Sequence, residues 1–208
     1  MKYGWAGGPL GPKALQGQPL EDDRLWSSMM PNIKPIHPET FSIIVPSMGD
    51  ADLVYCLLDS LFRTAKRRYE VCFGFDPSGY HLDLFNGWAG EYLPKWTTAP
   101  TSGMSAAVNA AFSLSTSEWI VWVCDDMAFL PGWDNFPEWL DWDHMLCFEL
   151  LEPFPTPYFP PPVWAGDSPA SFDRHKAEAE ASRRSLESPR YLPGGLFGTA
   201  VFHRSLWT

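Results

Sequence analysis

Two adjacent carboxylates, Asp125 and Asp126, close an apolar run, Trp119-Ile120-Val121-Trp122-Val123-Cys124. Neighbouring carboxylates repel unless a cation or hydrogen-bond donors offset their charge. Mg2+ or Mn2+ does so: either takes one or two protein carboxylates and completes its shell with substrate phosphates and water. Such an ion would neutralise a diphosphate leaving group. The same pair also reads as one turn-capping Asp beside a solvated one. Asp76 opens Asp76-Pro77-Ser78-Gly79 after another apolar run. There it can accept from a ribose hydroxyl or a base N–H, or initiate a turn. Ser47 and Asp50 follow a third such run, and Gly103-Met104-Ser105-Ala106-Ala107-Val108-Asn109 begins a helix with small residues. A helix N-terminus can face a phosphate. Asn109 inside that helix is unfavourable by propensity, which points to a specific partner, either a ligand or a core hydrogen bond. His203 reads as a late metal ligand or as a strand histidine with an ordinary hydrogen bond.

The elements needed to gather these residues are legible in the apolar pattern. Phe41-Ser42-Ile43-Ile44-Val45 is a short β-rich run stopped by Pro46, as suits a buried strand. A helix follows, capped by Asp50 or Asp52, with Leu53, Val54, Leu57, Leu58, Leu61 and Phe62 on one face. Residues 70–75 form a second strand, so the unit is β-α-β with parallel strands and a right-handed crossover. A third strand falls within 91–97, and Thr101 or Ser102 caps a helix to about Leu114. Residues 119–123 are the next strand, and Leu130-Pro131-Gly132-Trp133 makes a turn. Beyond it come a short Trp-rich helix to Trp142, a strand over 145–150, a Pro-rich loop over 152–169, a polar helix over 172–186 and a final strand over 196–202. Ligands bind at the carboxyl ends of strands in an open parallel sheet. Three strand ends deliver Ser47 and Asp50, Asp76 and Ser78, and Asp125 and Asp126 to that edge.

Composition sets bounds on this reading. A chain of 208 residues fits one α/β domain, and residues 1–40, rich in Gly and Pro, read as an extended arm anchored by Trp5 and Trp26. The formal net charge of -10 argues against free nucleic acid and anionic membranes as general partners. Eleven Trp are too many for one small core, so much of the Trp is expected at partly open surfaces. Cys56, Cys72, Cys124 and Cys147 are widely spaced within apolar runs, which reads as buried free thiols. With no signal segment and no apolar run of membrane-spanning length, the expected location is cytoplasmic.

Taken in order, these segments resemble the family-2 type of GT-A glycosyltransferases. The resemblance rests on Ser42-Ile43-Ile44-Val45-Pro46, Tyr69-Glu70-Val71 leading to Asp76-Pro77-Ser78, Ser105-Ala106-Ala107-Val108-Asn109-Ala110-Ala111, and the run from Trp119 through Asp125-Asp126-Met127 to Leu130-Pro131-Gly132-Trp133-Asp134. It implies a Rossmann-like α/β domain, a mixed and mostly parallel sheet flanked by helices. Residues 41–134 would form the nucleotide-sugar-binding half and 135–208 an acceptor-side half, truncated at its C-terminus. The implied donor is a UDP-sugar or another NDP-sugar, with Mn2+ or Mg2+. Pro46 and its neighbours would line the nucleotide pocket, Asp76 would contact the uracil or ribose, Asp125 would lie near the ribose and sugar, and Asp126 would hold the metal. Met127 departs from the commoner third acidic residue. Gly194-Gly195 is followed by Leu196-Phe197-Gly198, without the acidic pair that carries the general base in inverting members. Glu149 and Glu152 are the candidates by position for that base.

Two other classes compete: a nucleotide-sugar-binding module without turnover, or donor half of a larger protein, and a nucleotidyltransferase. Pro46-Ser47-Met48-Gly49-Asp50 lacks the Gly-rich loop and basic residue that usually accompany the latter. The acceptor is open among glycan, protein and a modified DNA base.

Overall fold

The computed structural model describes residues 40–79, 94–135, 140, 145–147, 170–184 and 199–207. The chain divides into two units, Met1–Lys34 and Pro35–Thr208, and all described residues belong to the second. The expected arm, the Trp-rich helix, the Pro-rich loop, Glu149, Glu152 and Gly194-Gly195 lie outside the described residues.

Among the described residues six strands form one sheet: β1 (Thr40–Ser47), β2 (Arg68–Phe75), β3 (Lys95–Thr98), β4 (Trp119–Trp122), β5 (Leu146–Cys147) and β6 (Ala200–His203). Their order is β3-β2-β1-β4-β6-β5. The first four pair in parallel, and β6 joins β4 and β5 antiparallel. Helix α1 (Ala51–Thr64) links β1 to β2, α2 (Met104–Leu114) links β3 to β4, and α3 (Arg174–Arg184) precedes β6. The fold is thus α/β with a mixed, mostly parallel sheet, the architecture that the resemblance implied.

The central strands are apolar over residues 43–45, 71–73 and 119–122 because both faces are covered. Ile43, Val45, Phe73, Phe75 and Val121 pack with Val54, Leu57, Leu58 and Leu61 of α1. Ile44, Cys72, Ile120 and Phe202 pack with Val108 and Ala111 of α2. Burying each large side chain contributes roughly 1.5–3 kcal/mol. Leu53 is only half-buried and Phe62 is exposed, so the apolar face of α1 is narrower than its sequence suggested. Gly74 lets α2 sit close: a Cβ there would lie 1.8 Å from the Ala107 carbonyl oxygen and 2.7 Å from the Ala111 nitrogen.

Several boundaries differ from the sequence reading. Pro46 lies inside β1, opposite Gly74, rather than ending it. The Ile44 carbonyl accepts from the Val123 amide on the β4 side, and pairing with β4 stops at Ile44. By alternation, the Pro46 nitrogen faces that same side beyond the last pair, where no ladder donor is needed. Gly103 (φ +114°), not Thr101 or Ser102, is the N-cap of α2, with no side-chain cap bond. The final strand is shorter than expected, Ala200–His203. Of the four cysteines, Cys72 is buried while Cys56 and Cys124 are only half-buried, and all three are free thiols.

Candidate functional site

The parallel strands end together, so their following residues share one edge of the sheet. Asp50 caps α1, accepting from the Asp52 and Leu53 amides at 3.0 and 3.3 Å, and starts the helix directly behind that edge. The Asp76 amide continues the β1–β2 ladder by donating to the Ser47 carbonyl at 2.9 Å. Between these two strand ends, Gly79 brings the second loop against the first. A Cβ on it would lie 2.0 Å from the Met48 carbonyl oxygen.

Asp125 is tied to β1. Its Oδ2 accepts from Ser47 Oγ at 2.5 Å, and Ser47 Oγ in turn accepts from the Gly49 amide at 2.8 Å. Burial pushes the Asp125 carboxyl above its ordinary value, the Ser47 bond pulls it back, and the Asp126 charge raises it again. Asp126 itself is exposed, while Asp125 is half-buried. Among the described residues no Lys or Arg forms an ion pair with either carboxylate. The Cys124 thiol is pushed up to about 11, by burial first and then by Asp126 and Asp125, so it is not a thiolate nucleophile at neutral pH.

The loop that carries the pair is pinned from two sides. The Phe129 amide donates to Ser60 Oγ of α1 at 2.9 Å, and Phe129 packs on Trp133 with ring centroids 4.5 Å apart. Buried Asp134 accepts from the Lys66 and Arg67 amides at 2.6 and 3.1 Å, at the turn from α1 into β2. On the other side Thr199 Oγ1, just ahead of β6, donates to Met127 Sδ at 2.8 Å. The acidic pair therefore sits on a braced turn rather than a free loop.

Asp76 is nearly buried, at 5% exposure, and its carboxylate is heavily used. Oδ1 accepts from Ser78 Oγ at 2.5 Å and from the Ser78 amide at 2.9 Å. Oδ2 accepts from the Gly103 amide at 2.6 Å. The Ser78 hydroxyl, then the Gly103 and Ser78 amides, hold the carboxyl down to about 2. Asp76 thus initiates its turn and also fastens the start of α2 to the end of β2. The Ser102 hydroxyl donates to the same carboxylate, so its roughly four acceptor positions are all used within the protein.

The other expected residues fall in different places. Pro46 is buried in β1, one residue from Ser47. Asn109 is on the exposed side of α2, where its Oδ1 accepts from Trp207 Nε1 at 3.1 Å, a structural role for a mid-helix Asn. His203 pairs with Trp119, the first residue of β4, at the edge of the sheet opposite Asp125 and Asp126. Its Nδ1 lies 2.8 Å from Ser205 Oγ, and its ring packs edge-on to Trp119. The structure does not bring it to the acidic pair.

An acidic pair with one desolvated member and no cationic partner among the described residues suits a small divalent cation. Among the described residues no group of three or more His, Cys, Asp and Glu could form a closed metal site. The pair would therefore be the chain's contribution, with phosphate and water supplying the rest, a donor set suited to Mg2+ or Mn2+ rather than Zn2+.

Fold and edge together define a class, the Rossmann-like α/β domain with a mixed, mostly parallel sheet. No protein-family model matches the chain, and no curated protein does. Among solved structures it is similar to the mannosyltransferase PcManGT of Pyrobaculum calidifontis in complex with GDP-Man and Mn2+. The TM-score is 0.50 and the identity 19%, over 88% of this chain and 50% of that one. It is also similar to S. aureus TarS 1–349, at 24% identity and TM-score 0.37, over 42% of this chain and 27% of that one. The same protein in complex with UDP gives TM-score 0.36. The chain thus spans half or less of the length of these structures, and the likeness to the mannosyltransferase is one of fold.

Proposed function

We propose that this chain is a glycosyltransferase domain that takes an NDP-sugar, UDP-linked in the first instance, and passes the sugar to an acceptor hydroxyl with inversion. The observation that carries the reading is the braced turn at the carboxyl edge, with Asp125 fixed against Ser47 and Asp126 open to solvent. Asp126 would hold Mn2+ or Mg2+ and Asp125 would stand beside it. When bound, the cation supplies positive charge against the diphosphate. The loop opened by Asp76 would flank the space for the nucleoside, and Gly103 would open α2 toward the phosphates. Attack by an acceptor hydroxyl with inversion needs a carboxylate to take its proton, and Glu149 and Glu152 are the candidates.

Calorimetric titration of the chain with UDP and with GDP, each with and without Mn2+, tests the reading. Metal-dependent binding of either nucleotide, lost by at least about tenfold in Asp126→Ala, is the expected outcome. Undiminished metal-dependent binding in that variant would remove Asp126 from the site. Incubation with the corresponding NDP-sugar then separates a transferase, which slowly transfers the sugar to water and releases NDP, from a module that binds without turnover.

A further inference from the structure

We infer that Ser47 acts as a positioning residue for the metal carboxylates, aiming Asp125, rather than as a contact to the nucleotide. The inference rests on the metal-and-nucleotide reading above. Ser47 is the last residue of β1 and is 5% exposed, so its hydroxyl has little access to a ligand. A serine hydroxyl has one proton to give and two lone pairs. Here the Gly49 amide donates into Oγ at 2.8 Å, which leaves the proton directed at Asp125 Oδ2 at 2.5 Å. Gly49 turns its amide back through a left-handed conformation, φ +82°, that favours glycine. The direction of the Ser47 O–H is therefore set by backbone, not by a mobile side chain.

The consequence lies across the sheet. Ser47 and Asp125 are 78 residues apart in sequence and end different strands, so this bond fixes the acidic turn relative to β1. The Met48 and Asp125 amides also donate to the Asp125 carboxylate, so Ser47 is the side-chain member of a donor set that orients it beside the exposed Asp126. Hydrogen-bond partners that orient metal-binding carboxylates typically change metal affinity 10–100-fold when removed.

The test compares the full chain with Ser47→Ala and Ser47→Thr. Calorimetry reads UDP and GDP with and without Mn2+, electron paramagnetic resonance reads Mn2+ alone, and thermal unfolding checks the fold. Ser47→Ala is expected to weaken Mn2+ and Mn2+-dependent nucleotide binding about 10–100-fold while leaving nucleotide affinity without metal unchanged. Its unfolding temperature should fall by no more than about 4 °C. Ser47→Thr, which keeps the hydroxyl, should restore metal binding to within about threefold, well inside the loss expected on removing it. Equal weakening with and without Mn2+ would make Ser47 a nucleotide contact and overturn the inference. So would undiminished binding in Ser47→Ala, or equal losses in two folded variants. If the unaltered chain binds neither nucleotide with Mn2+, the functional reading itself falls and takes the inference with it.

Discussion

A carboxylate's neighbours decide its role, and the acidic residues at this edge divide accordingly. Asp125 is braced, Asp126 is open, and Asp76 is largely consumed in holding the chain together. Asp76 has its folded pKa lowered to about 2 from an ordinary 3.8. A depressed carboxyl contributes stability above the unfolded value and loses it as pH falls through the folded one. Asp76→Asn can still accept at one oxygen but places an N–H₂ against a donor at the other. The expected result is a variant that unfolds at lower temperature at pH 7, with the difference from the unaltered chain narrowing between about pH 4 and pH 2. Thermal unfolding across that range checks it. A difference that stays constant down to pH 2 would mean the loss does not come from the ionised Asp76 carboxylate.

At the scale of elements, the β2–α2 contact is the tightest constraint on the site, because α2 begins where phosphates would lie. Gly74 has the Ala107 carbonyl where its Cβ would be, and the obstacle is helix backbone, which cannot rotate away. Gly74→Ala should therefore move α2 off the sheet. It should destabilise the chain by about 3 kcal/mol, at the upper end of overpacking costs because backbone must shift. Urea unfolding measures the loss. Nucleotide binding should weaken as well, since Gly103 is held by Asp76 and cannot follow the displaced helix without breaking that bond. Full stability in Gly74→Ala would contradict the close packing. Small residues along this helix gave a hint of close approach, but nothing in Glu70-Val71-Cys72-Phe73-Gly74-Phe75 distinguishes this glycine from a strand-weakening one.

Across the whole molecule, a second polar cluster at the opposite edge fastens the elements that the site edge does not. Glu70 of β2 accepts from Ser42 of β1 and from the Thr116 amide and hydroxyl ahead of β4, and pairs with Lys95 of β3. Burial opposes its charge, but the Lys95, Ser42 and Thr116 bonds prevail and hold the carboxyl at about 2, from an ordinary 4.5. Its contribution is thus complete above about pH 4.5 and disappears toward pH 2. Glu70→Gln should cost on the order of 1–2 kcal/mol at pH 7, tempered by the partial exposure of Lys95, and nothing at pH 2. Denaturant unfolding at the two pH values reads this directly. Because the cluster lies at the far edge, metal-dependent nucleotide binding should be unaffected at pH 7. Arg204 closes the same end, donating to Ser117 and Ser115 at 2.8–2.9 Å and lying 4.6 Å from the Phe112 ring centre.

The amino-acid order alone determined the four parallel strands, the helices between them and the carboxyl edge. These follow from local apolar periodicity, short crossovers and the handedness of L-residues, all of which act over a few residues. It also singled out Asp125, Asp126 and Asp76, because an acidic residue ending a buried strand is conspicuous in any sequence. What it could not assign was the use of each side chain. The Ser47–Asp125 bond spans 78 residues and the Asp76–Gly103 bond 27, and such distances carry no local signal. His203 is the clearest case: its residue type suited a metal site, but an antiparallel register set it beside Trp119 at the other end of β4. Residue types supplied the chemistry available, and tertiary pairing decided which groups meet, because hydrogen bonds act over about 3 Å and only the folded chain brings those atoms within reach.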